Sequence, residues 1–311
     1  HGLYFTVVAM QNVKRIFNLF TLMLCAGSTL SVSAEVYRCQ AELGGKVVFT
    51  DNKFLCNQTS AQEIVVKPSA LRIERQILPS IPDLSQRDPA AEFPDGGSKY
   101  CAPVAVSNSL SAVLPEVMGG LPSTLHFEKK FEQQVEIART LGSSDYMDTG
   151  KSGTNSVQLL TGVDHYLTDQ KIPSYDSANL EYQGQRSVPR KYNPTFDKHA
   201  DLPWLISGIK QEKHIWLNIG WYSLEEDGEA KRVGGHWVTL VGYEKFGSLM
   251  DGEGEYLIIN DPATQGGEHQ EKISLKLNKL NGIDGYQLIN QRSKPKKADL
   301  AWVEGAIQLA L

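Results

Sequence analysis

The sequence predicts an α+β fold, with helices gathered first and a curled antiparallel sheet second, and three observations predict it. Apolar residues recur at helical spacing in Val106, Leu110, Val113 and Leu114, and again over 127–141, 155–169 and 202–210. After that the pattern turns to β, with strand-like runs at 215–221, 236–243, 255–260, 286–290 and 302–309. Those runs follow one another at hairpin-like intervals, which favours antiparallel pairing over crossovers.

The first helix matters most, because a cysteine stands at its start in Tyr100-Cys101-Ala102-Pro103. Pro103 is tolerated there, since the first turn of a helix has N–H groups with no intrahelical partner to lose. The partial positive charge of a helix amino terminus favours thiolate over thiol, which is how a nucleophile is made. The turn Asp95-Gly96-Gly97-Ser98 leads into it, and the cysteine's own N–H is one donor for an oxyanion. The second donor is left open among Ser98, a glycine N–H and the side chain of Asp95.

The helix over 155–169 opens on the capping run Ser152-Gly153-Thr154-Asn155. It reads as structural, and so does His165 upon it. His126, His199, His214 and His269 have no partner signal nearby. No His, Cys, Asp or Glu pair shows metal-ligand spacing, so neither a metal nor a cofactor is expected.

With 311 residues, 41% of them hydrophobic and 22% charged, the chain suffices for one large core and a smaller module. A net charge of -5 argues against nucleic-acid binding, and Lys294-Pro295-Lys296-Lys297 reads as a solvated loop. Residues 1–9 form an extension upstream of Met10. From Met10, Lys14 and Arg15 precede a short apolar run that ends in Val32-Ser33-Ala34, the three parts of a secretory signal peptide. The expectation is cleavage after Ala34 and a periplasmic or secreted protein, touching a membrane only through this segment if it stays uncleaved.

Export places Cys39, Cys56 and Cys101 in an oxidising compartment, where three thiols cannot all pair. Cys39 and Cys56 bracket a hairpin-like stretch around Gly44-Gly45 and are the expected disulfide, which leaves Cys101 over. The domains expected are thus a small disulfide-stapled hairpin module at 35–58, a proline-scattered linker at 59–92, and a main domain at 93–311.

Two strand ends carry the remaining chemistry. Gly234-Gly235-His236 puts a histidine at the start of one strand, after glycines that permit close backbone approach. Asn260-Asp261-Pro262 puts an amide and an acid at the end of the next. If the two strands are antiparallel neighbours, His236 meets Asp261. Neighbouring strand residues point to opposite faces, so Asn260 is the fallback partner. Trp204, Trp216, Trp221 and Trp237 read as sheet core.

The stretch with Val36-Tyr37-Arg38-Cys39 and Gly45-Lys46-Val47-Val48-Phe49-Thr50-Asp51 resembles a short domain of unknown function common at the start of bacterial envelope proteins. From residue 93 onward, Tyr100-Cys101-Ala102-Pro103 with Asn108, Gly153-Thr154, the run from Gly235 to Tyr243, and Asn260-Asp261-Pro262-Ala263 resemble the papain-like cysteine peptidases. The nearest branch holds the bacteriocin-processing peptidases that trim double-glycine leaders. The resemblance implies a papain-like fold, Cys101 as nucleophile, His236 as general base and Asp261 as its orienter. It also implies a peptide or protein substrate. The family's usual glutamine before the cysteine is replaced by Asp95. Hydrolysis of a peptide or amide bond is the leading expectation. A binding module that holds a peptide or cell-wall segment without turnover, and a thiol acyltransferase, are the alternatives.

Overall fold

The computed structural model describes residues 36–40, 47–50, 62–64, 72–79, 81–117, 127–173, 175–195, 199–248, 252–263 and 270–311. The signal-like segment lies outside them. No helix among the described residues is long and apolar enough to cross a membrane. The chain divides into two units, a smaller one comprising residues 1–72 with 248–251 and a larger one of 73–247 with 252–311.

In the smaller unit, β1 (Val36–Gln40) pairs antiparallel with β2 (Val47–Thr50) on one edge and with β3 (Gln62–Ile64) on the other. The expected Cys39–Cys56 disulfide is corrected. No cysteine pair stands at disulfide distance among the described residues, and Cys56 itself lies outside them. The backbone ladder joins these strands, with Cys39 opposite Val48.

Among the described residues the larger unit holds four α-helices of nine residues or more, α1 (Cys101–Val117), α2 (Phe127–Gly142), α3 (Ser156–Asp169) and α4 (Leu202–Lys210). Its sheet comprises β4 (Arg72–Ile77), β5 (Leu180–Gly184), β6 (His214–Leu224), β7 (Ala230–Ser248), β8 (Gly252–Asn260), β9 (Glu271–Leu280), β10 (Ile283–Ile289) and β11 (Leu300–Leu309). The strands run in the order β10-β9-β8-β7-β6-β11, and β10 pairs back onto β11.

The expected papain-like arrangement, helices first and a curled antiparallel sheet after them, is therefore corrected to a closed six-stranded antiparallel barrel. β4 joins it on β7 and β5 on β11. The reason lies in β9. Ile273, Leu275 and Leu277 alternate with polar residues, and Asn281 and Gly282, with φ 47° and 78°, join β9 to β10 by a tight hairpin. Two positive φ values mark the turn whose twist matches paired strands, and Asn-Gly is its preferred sequence. This extra hairpin supplies the strands that bring the sheet round onto β11.

Two cores lie on opposite sides of the β6–β7 wall. One joins Ile215, Leu217, Ile219, Val238 and Leu240 to Leu257, Ile259, Ile273, Leu288 and Val303, with α4 packed onto it through Leu205, Ile206 and Ile209. The other joins Trp216 and Trp237 to α1 and α3. Helix α1 is buried on every side from Ala102 to Leu110 rather than along one stripe. Its polar residues are accordingly bonded: Asn108 Oδ1 accepts from Leu84 N and Gln134 Nε2, and Ser109 Oγ accepts from Trp216 Nε1.

The inward face of β9 yields a stability test. Ile273 is fully buried, so Ile273→Ala is expected to cost about 2–5 kcal/mol in urea unfolding. Leu277→Ala, at a position 64% exposed, is expected to stay within about 0.5 kcal/mol of the parent.

Candidate functional site

Cys101 begins α1, so its N–H has no intrahelical acceptor and faces outward from the helix end. His236 lies on β7, and the two elements are locked together one turn further on. Thr239 Oγ1 donates to Ala105 O at 2.7 Å, with both residues fully buried. Trp237 Nε1 donates to Thr154 O at 2.8 Å, which fixes the turn before α3 against the same strand.

His236 Nε2 stands 2.6 Å from Asp261 Oδ1, and the two side chains are only 3% and 0% exposed. With Nε2 so engaged, the other ring nitrogen is left to the cleft, where the Cys101 side chain acts on the ring's charge. Burial opposes a charge on the ring, but the Asp261 carboxylate and the thiol outweigh it and push the His236 pKa up to about 10. For Asp261, burial works toward the neutral acid, and His236, the Ser293 hydroxyl and the Ala263 N–H together hold its pKa below the usual carboxylate range.

Asp261 is itself held from both oxygens. Oδ1 also accepts from Ala263 N at 2.9 Å, and Ser293 Oγ donates to Oδ2 at 2.6 Å. Gln291 Nε2 donates to Ser293 Oγ, and Trp221 Nε1 donates to Gln291 Oε1. The Trp221 ring then stacks on His236 with centroids 5.4 Å apart and planes 18° from parallel. The circuit thus returns to the imidazole, whose cationic form the indole face favours.

The remaining predicted residues fall as follows. Asn260 donates Nδ2 to Ile81 O and Pro82 O, so it fastens the chain and leaves His236 to Asp261. Asp95 is exposed on left-handed backbone, φ 51° and ψ 36°, and does not line the cleft, whereas Ser98 does. Asp95 therefore puts no carboxylate where an oxyanion would form. Ser98 and Cys101 both line the mouth of the cleft. His214 is buried against the barrel and its pKa is lowered to about 4 by desolvation, and His165 contacts Asp145 and Asp169 on the surface. His126 and His269 lie outside the described residues. Among the described residues no group of His, Cys, Asp and Glu could hold a metal ion.

Sequence reasoning missed the tryptophans and the far wall. Cys101, His236 and Trp237 open into a cleft of about 530 Å³, within the usual range for ligand pockets. Its far wall is an ion pair built by two β-bulges. β7 carries one extra residue, Val233, between the pairs Trp221–Gly234 and Tyr222–Arg232. β11 carries another, Glu304, between the pairs Val303–Ile219 and Gly305–Asn218.

Each insertion changes the face a side chain takes. Arg232 swings over Gly235, where an added Cβ would lie 2.3 Å from Nη2, and Glu304 fills the space over Gly220, 2.4 Å from an added Cβ. Gly220 and Gly235 are register partners, so together they hollow the wall for this pair. The one sequence signal for it was the Gly234-Gly235 doublet, and what approaches closely there is the strand's own arginine.

No protein-family model matches this chain, and no curated protein matches it.

The opposite shifts of His236 and Asp261 set a pH window. The raised histidine stabilises the fold fully below its ordinary value of 6.5 and loses that contribution as pH climbs toward 10. The lowered carboxylate contributes above its ordinary 3.8 and is lost as pH falls through its depressed value. The Tm difference between the parent and Asp261→Asn is therefore expected to be greatest between about pH 4 and 6.5. It should shrink on both sides. Asp83, raised to about 7 by burial and by its neighbours Asp261 and Glu271, ionises against Asp261 and adds to the alkaline loss. A difference that grows steadily up to pH 10 would contradict the pairing.

Proposed function

We propose that the protein is an exported thiol hydrolase that cleaves a peptide or amide bond through an acyl-enzyme on Cys101. The observation that carries this reading is the buried Asp261–His236 pair, with His236 lining one open cleft together with the thiol at the start of α1. The residue order that resembles papain-like cysteine peptidases supports it, and the signal-like segment supports export.

Chemically, the Cys101 proton passes to His236 and the sulfur attacks the substrate carbonyl carbon. The carbonyl oxygen takes the negative charge, with the Cys101 N–H and Ser98 as donors. Collapse breaks the C–N bond, and His236 gives its proton to the leaving amine. Water, deprotonated by His236, then attacks the thioester and releases the acid and the thiol. Asp261 keeps the ring turned and favours its protonated form throughout.

Cys101→Ala and His236→Ala are each expected to lower turnover of a fluorogenic peptide mixture by about a thousandfold or more. Alkylation by iodoacetamide tests the same pair without a substrate. At neutral pH His236→Ala is expected to slow the reaction several-fold, because the imidazole that takes up the thiol proton is gone. A rate that the substitution leaves unchanged would overturn the reading.

A further inference from the structure

The far wall of the cleft holds more positive charge than its fold requires. Glu304 is 2% exposed and its carboxylate is fully bonded. Arg232 donates to it twice, from Nε at 2.6 Å and Nη2 at 2.9 Å, and Tyr222 OH donates at 2.6 Å. The Asn218 amide, in the orientation its neighbours require, adds a fourth donor at 2.8 Å while accepting from Trp237 Nε1. One buried carboxylate is thus matched by one guanidinium.

Arg186 is surplus to that match. Its Nη2 lies 4.0 Å from Glu304 Oε1, beyond hydrogen-bond distance, and its side chain is 56% exposed in the cleft. Arg232, with Nε and Nη2 committed to Glu304, keeps Nη1 for another partner, and its side chain, which lines the cleft, is 39% exposed. In a chain of net charge -5, this wall carries a local charge of +1 from two arginines and one glutamate. The amino-terminal turn of α3 also borders the cleft and its dipole adds to the same field.

We infer that Arg186 and Arg232 form a carboxylate-binding subsite beside His236, so that the bond cleaved is one with a free carboxylate close to it. This rests on Cys101 acting as the nucleophile. The guanidinium fork matches a carboxylate's two oxygens, and Glu304 holds Arg232 in place before substrate arrives, which removes much of the ordering cost. The two bulges, the paired glycines and the saturated glutamate all serve to hold one arginine in place, and Arg186 supplies the second, more exposed one. The carboxylate could be a chain terminus or an acidic side chain.

Matched alkylating reagents separate these cases. Iodoacetyl-glycine and iodoacetyl-glycinamide differ only in a terminal carboxylate, and the α-amides of iodoacetyl-glutamic acid and iodoacetyl-glutamine differ only in a side-chain carboxylate. In each, sulfur displaces iodide from the methylene carbon, and mass spectrometry follows the adduct. The acid-to-amide rate ratio at Cys101, normalised to mercaptoethanol, is expected to reach about tenfold for one pair, the gain of a charge-assisted hydrogen bond.

The pair that shows the ratio identifies the carboxylate's source. The ratio should fall several-fold in Arg232→Gln and in Arg186→Gln. Arg232→Gln can fail to fold because it strands Glu304, whereas Arg186 is exposed and its variant keeps the test open. A ratio near one in the parent, or one that survives Arg186→Gln, overturns the subsite and leaves the nucleophile standing. A Cys101 inert to every reagent overturns the hydrolase reading, and the subsite falls with it.

Discussion

An ionised carboxylate and an imidazole withdrawn from water are costly unless each finds its partner in good geometry, and His236 with Asp261 is the place where the larger unit meets that cost. Losing one member would leave the other charged, buried and unmatched. Their separation of 2.6 Å is set by β7 lying beside β8, which brings His236, seven residues into β7, to the end of β8. The ring of contacts through Ser293, Gln291 and Trp221 then removes the remaining freedom of both groups. Ser293 and Gln291 follow β10, so the strands that close the barrel also deliver the outer support of the site.

Helix α1 is brought to this pair by a strap over residues 81–88. Gln86 N and Ser85 Oγ both bond Pro262 O, next to Asp261, while Gln86 Nε2 bonds Gly97 O in the turn before Cys101. Leu84 N bonds Asn108 within α1, and Asn260 bonds the strap's own carbonyls at Ile81 and Pro82. Gly97 allows this lacing, because an added Cβ there would lie 1.6 Å from Gln86 O and its φ is +73°. The turn before Cys101 and the strand end at Asp261 are thus tied to a single short segment.

How much of this was legible in the sequence differs by the kind of signal. The position of Cys101 at a helix start follows from a local pattern of period 3.6, whereas period 2 says only that one of Asn260 and Asp261 can face His236 and not which. The sheet's closure did not emerge, although Ile273, Leu275 and Leu277 alternate and Asn281-Gly282 is a strong hairpin signal. The lysines interleaved in β9 give it an exposed face that hides its strand character. The strap reads as linker because its prolines and polar residues bond across long sequence distances, with no period to betray them. Trp221 and Trp237 look like any core aromatic until their indole N–H groups are placed. The Arg232–Glu304 pair spans 72 positions and depends on two bulges, which leave no mark in the periodicity of either strand.

Those two bulges bear on how relatives of this protein could be recognised. An inserted residue shifts the parity of a strand, and every side chain past it exchanges faces. Removing Val233 from β7, or one residue at Glu304 in β11, would leave a sequence nearly identical over its whole length while turning the guanidinium or the carboxylate out of the cleft. Two chains could then agree at Cys101, His236 and Asp261 and still line the cleft with different walls. Kinship in the lining of this cleft is therefore written in the placement of single-residue gaps beside β6, more than in the identities of the residues that flank them.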